Sequence, residues 1–317
     1  MKKYLEDLKQ ELLKKKLTNK EIEEILADHE EMIQNAMDEG LSEDEIKAKF
    51  GKPKQLAEEL ADFEPKESIK QQETESFTLY ESYEVNEDEI SVSVKLTSED
   101  VVYQESPNSK INVYYKGKGK IDKYTVSYKS GKFELLGQTG VNLLFSFSKS
   151  NDLDFIVELP KTVVVSEFAH QGVNSDVLLK NLEIKNFKLT TTNGDIVIEN
   201  SKLGAAYWHT VNGDLFIKDS QMDKLDSSQV SGDIKLEHVK ITGDVVSNTV
   251  SGDLLFTDSS CEEFTLKTVS GDLDGKEFYP KSVSLKSVSG DIKIRNKEKT
   301  YIKVLTKHSL SGDIDIN

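Results

Sequence analysis

At 317 residues the chain exceeds one ordinary domain and has material for two or three bodies with sizeable buried cores. A formal charge of −16 argues against nucleic acid as a partner, since phosphates are met by clustered Lys and Arg, and leaves a cationic partner better matched. The lone Cys261 forms no intrachain disulfide and reads as a small core residue.

The first elements in chain order are helical. Tyr4, Leu5, Leu8, Leu12 and Leu13 recur at helical spacing and predict an amphipathic helix with a Lys- and Glu-rich outer face. Thr18-Asn19-Lys20-Glu21 is a capping box, in which hydroxyl and carboxylate satisfy free backbone N–H groups at a helix start. Ile22, Ile25, Leu26, His29, Ile33, Ala36 and Met37 carry that helix to Gly40. Ser42-Glu43-Asp44-Glu45 repeats the box before a short helix with Ile46 and Phe50 inward, and Pro53 opens a last one through Leu56 and Leu60. Residues 1–62 therefore read as a small all-α bundle. Residues 63–76 read as a flexible linker, because Glu64 to Ser76 holds a single large apolar residue. Glu6, Asp7 and Glu11 interrupt the stretch a signal peptide needs apolar, and no run of 18 apolar residues occurs. The expectation is a cytoplasmic chain with no membrane span, reaching the envelope only through a partner.

From residue 77 the hydrophobic period becomes two, as in Ile90-Ser91-Val92-Ser93-Val94-Lys95-Leu96 and Ile111-Asn112-Val113-Tyr114-Tyr115, which predicts strands. A short word then recurs: Asn-Gly-Asp or Ser-Gly-Asp, led by Thr, Val or Leu and followed by Ile or Leu. Its glycines are Gly194, Gly213, Gly232, Gly252, Gly271, Gly290 and Gly312, at intervals of 19, 19, 20, 19, 19 and 22 residues. Asn174-Ser175-Asp176 reads as a degenerate earlier copy. Positions five and three before the Val are apolar, as Phe264 and Leu266 before Val269, with a bend expected between them and the Val. The first and third residues after the Asp are apolar too, as Ile292 and Ile294. One such coil buries its apolar side only between neighbours above and below. The fold class is therefore mainly β: a β-solenoid of stacked 19–20-residue coils, irregular over 77–171 and regular over 172–317, behind the helical bundle. At ~4.8 Å per coil, eight coils span roughly 40 Å.

The repeated glycines suit a turn that needs positive φ and are read as structural. Stacking places Asp195, Asp214, Asp233, Asp253, Asp272, Asp291 and Asp313 in a column at ~5 Å intervals, where repulsion of ~1 kcal/mol in water calls for an offset. Backbone N–H donors supply one; a row of calcium ions bridging the carboxylates is the alternative.

Little points to catalysis. His29, His170, His209, His238 and His308 show neither His-x-x-x-His spacing nor paired cysteines for zinc, and Asp28-His29-Glu30-Glu31-Met32 lacks the second histidine of a metalloprotease helix. A nucleophile elbow, a phosphate-binding loop and a dinucleotide fingerprint are all missing. The expectation is no enzyme and no cofactor, with paired Asp residues of the glycosidase kind leaving room for an unrecognised hydrolase. Tyr207-Trp208 with Tyr80, Tyr83, Tyr103, Tyr114, Tyr115, Tyr124 and Tyr128 read as core or cap, with an exposed binding surface as the other reading. The final repeat, Ser311-Gly312-Asp313-Ile314-Asp315-Ile316-Asn317, lacks a cap, which suggests end-to-end self-association or a further C-terminal piece.

Two resemblances extend this reading. Residues 1–62 resemble the HAAS (DUF1700) domain through Leu17-Thr18-Asn19-Lys20-Glu21-Ile22 and Phe50-Gly51-Lys52-Pro53-Lys54-Gln55-Leu56-Ala57. Residues 77–317 resemble the DUF4097 β-repeat family of adhesin-like proteins through Val157-Glu158-Leu159-Pro160-Lys161 and the recurring Val-Ser-Gly-Asp-Ile/Leu. The second resemblance implies a β-solenoid without known catalytic residues, common in proteins of cell-envelope stress responses such as relatives of the Lia system. The first implies an adaptor found with envelope or PadR-regulated signalling proteins, although HAAS proteins often carry transmembrane helices and this chain shows none. Two functions follow. One is a non-enzymatic scaffold in envelope-stress signalling, whose helical module docks on a protein partner while the acidic solenoid binds, or is displaced by, cationic peptide. The other is a surface adhesin or structural rod.

Overall fold

The computed structural model describes residues 2–14, 22, 26, 42, 53, 54, 77–137 and 153–317. The chain divides into a unit of Met1–Lys70 and a unit of Gln71–Asn317. In the first, helix α1 (Lys2–Leu12) buries Tyr4, Leu8 and Leu12, which lie one turn apart on a single face. Leu13, expected on that face, falls just past the helix and is exposed. Of residues 15–76 only scattered positions are described, Ile22 among them and buried; the first capping box, the second apart from Ser42, and the linker at 63–76 lie outside the described residues.

The second unit is a β-solenoid, and its first coil comes from β2 (Glu89–Lys95) and β3 (Val101–Ser106). One side of that coil is covered by an irregular layer. There β1 (Thr78–Glu84), β4 (Lys110–Gly117) and β7 (Leu153–Pro160) run antiparallel, as do β5 (Tyr124–Lys129) and β6 (Lys132–Gly137). β6 and β7 pair in parallel with β2 and β3. On the other side β8 (Val164–Gln171) and β9 (Val177–Lys180) continue the stack in parallel register, and every later coil does the same. Each regular coil alternates a four-residue strand, such as β11 (Ile196–Glu199), with a longer one, such as β12 (Lys202–Asn212). In β18 (Leu254–Ser270) and β19 (Leu273–Ser289) the two merge into one bent strand.

The in-register pairs put like side chains in interior columns. Ile196, Leu215, Ile234, Leu254, Leu273 and Ile292 form one such column, and all are buried. Phe256, Phe264 and Phe278 fill the core between two neighbouring coils, with ring centroids 5.0–5.4 Å apart in edge-to-face contact.

The corner after each short strand is made by a residue in left-handed backbone: Asn181, Asn200, Asp219, His238, Asp258 and Glu277, with φ of +46° to +55°. Asn and Asp tolerate this region; His and Glu less so. His238 lies exposed between Asp219 (3.1 Å) and Asp258 (3.6 Å), contacts that solvent weakens. His238→Asn is therefore expected to raise stability by about 0.5 kcal/mol, read as an increased urea midpoint at unchanged slope.

Candidate functional site

The Gly-Asp turns stack directly. Gly194, Gly213, Gly232, Gly252, Gly271, Gly290 and Gly312 have φ between +120° and +154°. Each brings its backbone so close to the preceding coil that a Cβ would strike that coil's carbonyl oxygen. The following Asp donates its N–H to the carboxylate Oδ1 of the Asp one coil earlier. The bonds run Asp195 to Asp176 (2.8 Å), Asp214 to Asp195 (3.0 Å), Asp233 to Asp214 (2.7 Å) and Asp253 to Asp233 (2.6 Å). They continue from Asp272 to Asp253 (2.8 Å), Asp291 to Asp272 (2.7 Å) and Asp313 to Asp291 (2.9 Å). The ladder starts one rung before the sequence repeat shows it, because Asp176 donates to Asp100 at 2.9 Å. Asn193 and Asn212 add an amide ladder beside it, donating to Asn174 (2.7 Å) and Asn193 (2.9 Å).

Burial pushes the Asp100 carboxyl up to about 6, with Asp176, Asp154 and Glu99 adding repulsion, and raises Asp233 as well. The offset to the stacked charge is thus a main-chain donor at each rung. Asp253→Ala leaves the Asp272 amide without its acceptor and is expected to cost about 1–2 kcal/mol. Asp253→Asn keeps an oxygen in place, removes a like charge, and is expected to be neutral or stabilising in the same denaturant titration at pH 7.5. Among the described residues no group of three or more His, Cys, Asp or Glu is placed to hold a metal ion. With each ladder carboxylate from Asp176 to Asp291 accepting a backbone N–H, the melting temperature of the wild-type chain is expected to be equal in millimolar calcium and in chelator, and a rise with calcium would make the column a metal site.

The residues before the turn correct one sequence expectation. No bend separates Phe264 and Leu266 from Val269. A single stretch of β18 alternates through them, so Phe264, Leu266 and Thr268 are buried and Val269 faces out. The same parity holds in each coil. Pairing of Asn212 with Ser231, Ser231 with Ser251, Ser251 with Ser270, Ser270 with Ser289 and Ser289 with Ser311 keeps the preceding residues in line. Val211, Val230, Val250, Val269, Val288 and Leu310 thereby form one exposed column, each 39–73 % accessible. The positions between, such as Thr210, Gln229, Thr249, Thr268 and Ser287, are buried, so at this corner polar side chains lie inside and aliphatic ones outside. The column borders an open hollow of about 550 Å³, whose other wall is His209, Ser228, Asn248, Lys267, Lys286 and His308. Sequence reading missed this surface because the bend expected before the Val hid its strand parity with the apolar positions five and three residues earlier.

Other groupings are structural. His170 is fully buried, with Nδ1 2.8 Å from the Tyr103 hydroxyl and Nε2 3.4 Å from Ser175 Oγ, and burial lowers it to about 3. Ser175 Oγ in turn donates to the Glu99 carbonyl at 2.5 Å, and Ser175 is itself fully buried. This Ser-His-Tyr contact offers a substrate no opening. Cys261 is buried, as expected, and burial raises its thiol. Of the paired aromatics Trp208 is buried and Tyr207 exposed. A second hollow, about 640 Å³, meets the left-handed corner at Asn181 and Asn200, and its ion pairs are matched internally as Lys161–Glu105 and Lys202–Glu183.

The turn ladder, the coil period and the irregular first layer are what a family comparison has to explain. The Toastrack DUF4097 family model matches residues 88–249 and 243–317. The chain belongs to that family. Ahead of the Toastrack region the HAAS model matches residues 3–59. No curated protein matches the chain. A solved "putative adhesin" from Parabacteroides distasonis ATCC 8503 superposes on the Toastrack chain with a TM-score of 0.53 at 14 % identity, covering 76 % of this chain and 97 % of its own, which shows a shared fold. A "putative lipid binding protein" from the same organism covers 75 % and 96 % at 14 % identity and a TM-score of 0.48. A "putative adhesin" from Bacteroides fragilis NCTC 9343 covers 75 % and 97 % at 16 % identity and 0.44. Among the described residues no helix of the Toastrack chain is long and apolar enough to cross a membrane.

Proposed function

We propose that the Toastrack unit is a non-enzymatic, adhesin-like interaction module whose contact surface is the aliphatic ladder from Val211 to Leu310. The observation that carries this is a continuous exposed apolar column on a chain of charge −16, where solvated polar side chains are the default. The names of the solved relatives favour the adhesin or rod reading over the stress-signalling scaffold. In this reading the HAAS unit attaches the chain to a second protein, and acidic parts of the surface speed the encounter with cationic peptide.

The test uses Val230→Thr/Val250→Thr/Val269→Thr. Thr keeps the β-branched shape that suits a strand but adds a hydroxyl on the outer face. The variant is expected to keep the wild-type far-UV circular dichroism spectrum and melt within a few degrees. Beads coated with it are expected to be retained at least tenfold less than wild-type beads on immobilised cell-envelope fractions. Equal retention removes the ladder from the contact surface.

A further inference from the structure

We propose that the ladder holds a single-chain anionic amphiphile of the fatty-acid class, lying along the solenoid axis with its carboxylate at Lys267 and Lys286. The inference deepens the reading above and rests on the ladder being the contact surface.

Three observations select this ligand. First, the column runs across the strands, and from the Lys286 rung back through Val269, Val250 and Val230 to Val211 it extends for about 19 Å at ~4.8 Å per coil, roughly the length of an extended sixteen-carbon fatty acid. Second, the inner coils spend their backbone N–H and C=O groups on the coils above and below. A peptide lying in the groove would find no main-chain partners for its own polar groups, whereas a polymethylene chain needs none. Third, Lys267 and Lys286 both line the hollow, and among the described residues neither has a carboxylate within ion-pair distance, in a chain with 57 acidic residues against 41 basic ones. The two lysines thus stand on adjacent rungs in the last three coils, while the first three coils carry Val250, Val230 and Val211 beside the uncharged Asn248 and Ser228 and His209. A volume of about 550 Å³ falls within the ~300–1,000 Å³ of small-ligand sites.

The experiment titrates the full chain with the fluorescent fatty acid cis-parinarate and then displaces it with palmitate. Saturation at one probe per chain is expected, with displacement by palmitate and at least tenfold weaker displacement by uncharged hexadecanol. Val250→Thr/Val269→Thr is expected to weaken probe binding at least tenfold, and Lys267→Gln/Lys286→Gln three- to tenfold with a loss of the preference for palmitate. Non-saturating uptake, or variants that bind like wild type, overturns the proposal. So does ladder-dependent flotation with phosphatidylglycerol vesicles when palmitate does not displace the probe. If palmitate fails while the Thr variants still lose retention on envelope fractions, the ligand is refuted and the contact surface stands; if both signals ignore the ladder, both readings fall.

Discussion

Gly252→Ala is expected to destabilise the solenoid by about 4 kcal/mol or more. Two penalties coincide at this site. Its φ of +136° is a backbone conformation that a side-chain-bearing residue avoids. An added Cβ would also lie far inside contact distance of the Gly232 carbonyl, which is backbone in the next layer of the stack and has no rotamer to retreat into. Opening the two coils to admit a methyl group would stretch the adjoining bond from the Asp253 amide to Asp233 and the strand pairs on both sides. Gly137→Ala is the control. Its nearest contact would be the Tyr124 ring at 3.4 Å and its φ is not positive, so a cost within about 1 kcal/mol is expected. Urea unfolding of the two variants beside wild type gives the comparison, and similar midpoints for both would remove the steric account of the turn.

Acid is expected to weaken the first coils through His170. Its folded pKa is about 3 because burial disfavours the imidazolium, against about 6.5 in an unfolded chain. Between those values the unfolded chain holds a proton that the folded one does not. This contribution is therefore complete above pH 6.5 and is lost as the pH falls, amounting to about 2–3 kcal/mol by pH 4.5. Asp100 has the opposite sign. Its folded pKa is raised to about 6, so its contribution is complete below pH 4 and lost as the pH rises through 6; contact with solvent limits it to about 1 kcal/mol. Unfolding titrations at pH 7.5, 6.0 and 4.5 separate the two. His170→Gln should flatten the acid loss of the wild type, and Asp100→Asn should steepen it. An acid dependence that His170→Gln leaves unaltered would show that the imidazole is not the sensitive group.

How much of this was legible in the sequence depended on periodicity. Spacing of the Gly-Asp words was enough for stacked coils with Ile, Leu and Phe columns, since one apolar position per coil recurs in register. Asp100 escaped because its rung partner is 76 residues away, separated by the antiparallel layer, and its own word is Ser98-Glu99-Asp100 with no glycine. Ser175 likewise takes the glycine's place, and does so without a positive φ. The aliphatic ladder escaped for another reason. Val269 lies three residues after Leu266, an odd interval that in a continuous strand means the opposite face, but the bend expected between them hid that parity. Burial of His170 follows from the packing of Tyr103 and Ser175 against it, contacts that no local pattern encodes.

The one-directional bonding of the turns also bears on how such a chain changes in length. Each aspartate from Asp100 to Asp291 accepts from the amide of the next rung, and each glycine from Gly213 to Gly312 packs on the carbonyl of the one before it. A whole coil can therefore be removed or inserted between identical words without leaving a donor or carboxylate stranded. The two longer intervals, 20 residues from Gly232 to Gly252 and 22 from Gly290 to Gly312, obey this rule. The additional residues fall at the corners near 242–244 and 296–302 and at a bulge that skips Leu305, while the turn bonds stay at 2.6 and 2.9 Å. Reach is thus quantised in this architecture: related chains can lengthen or shorten by duplication of one cassette, each step adding or deleting one rung of the exposed ladder along with one rung of the scaffold.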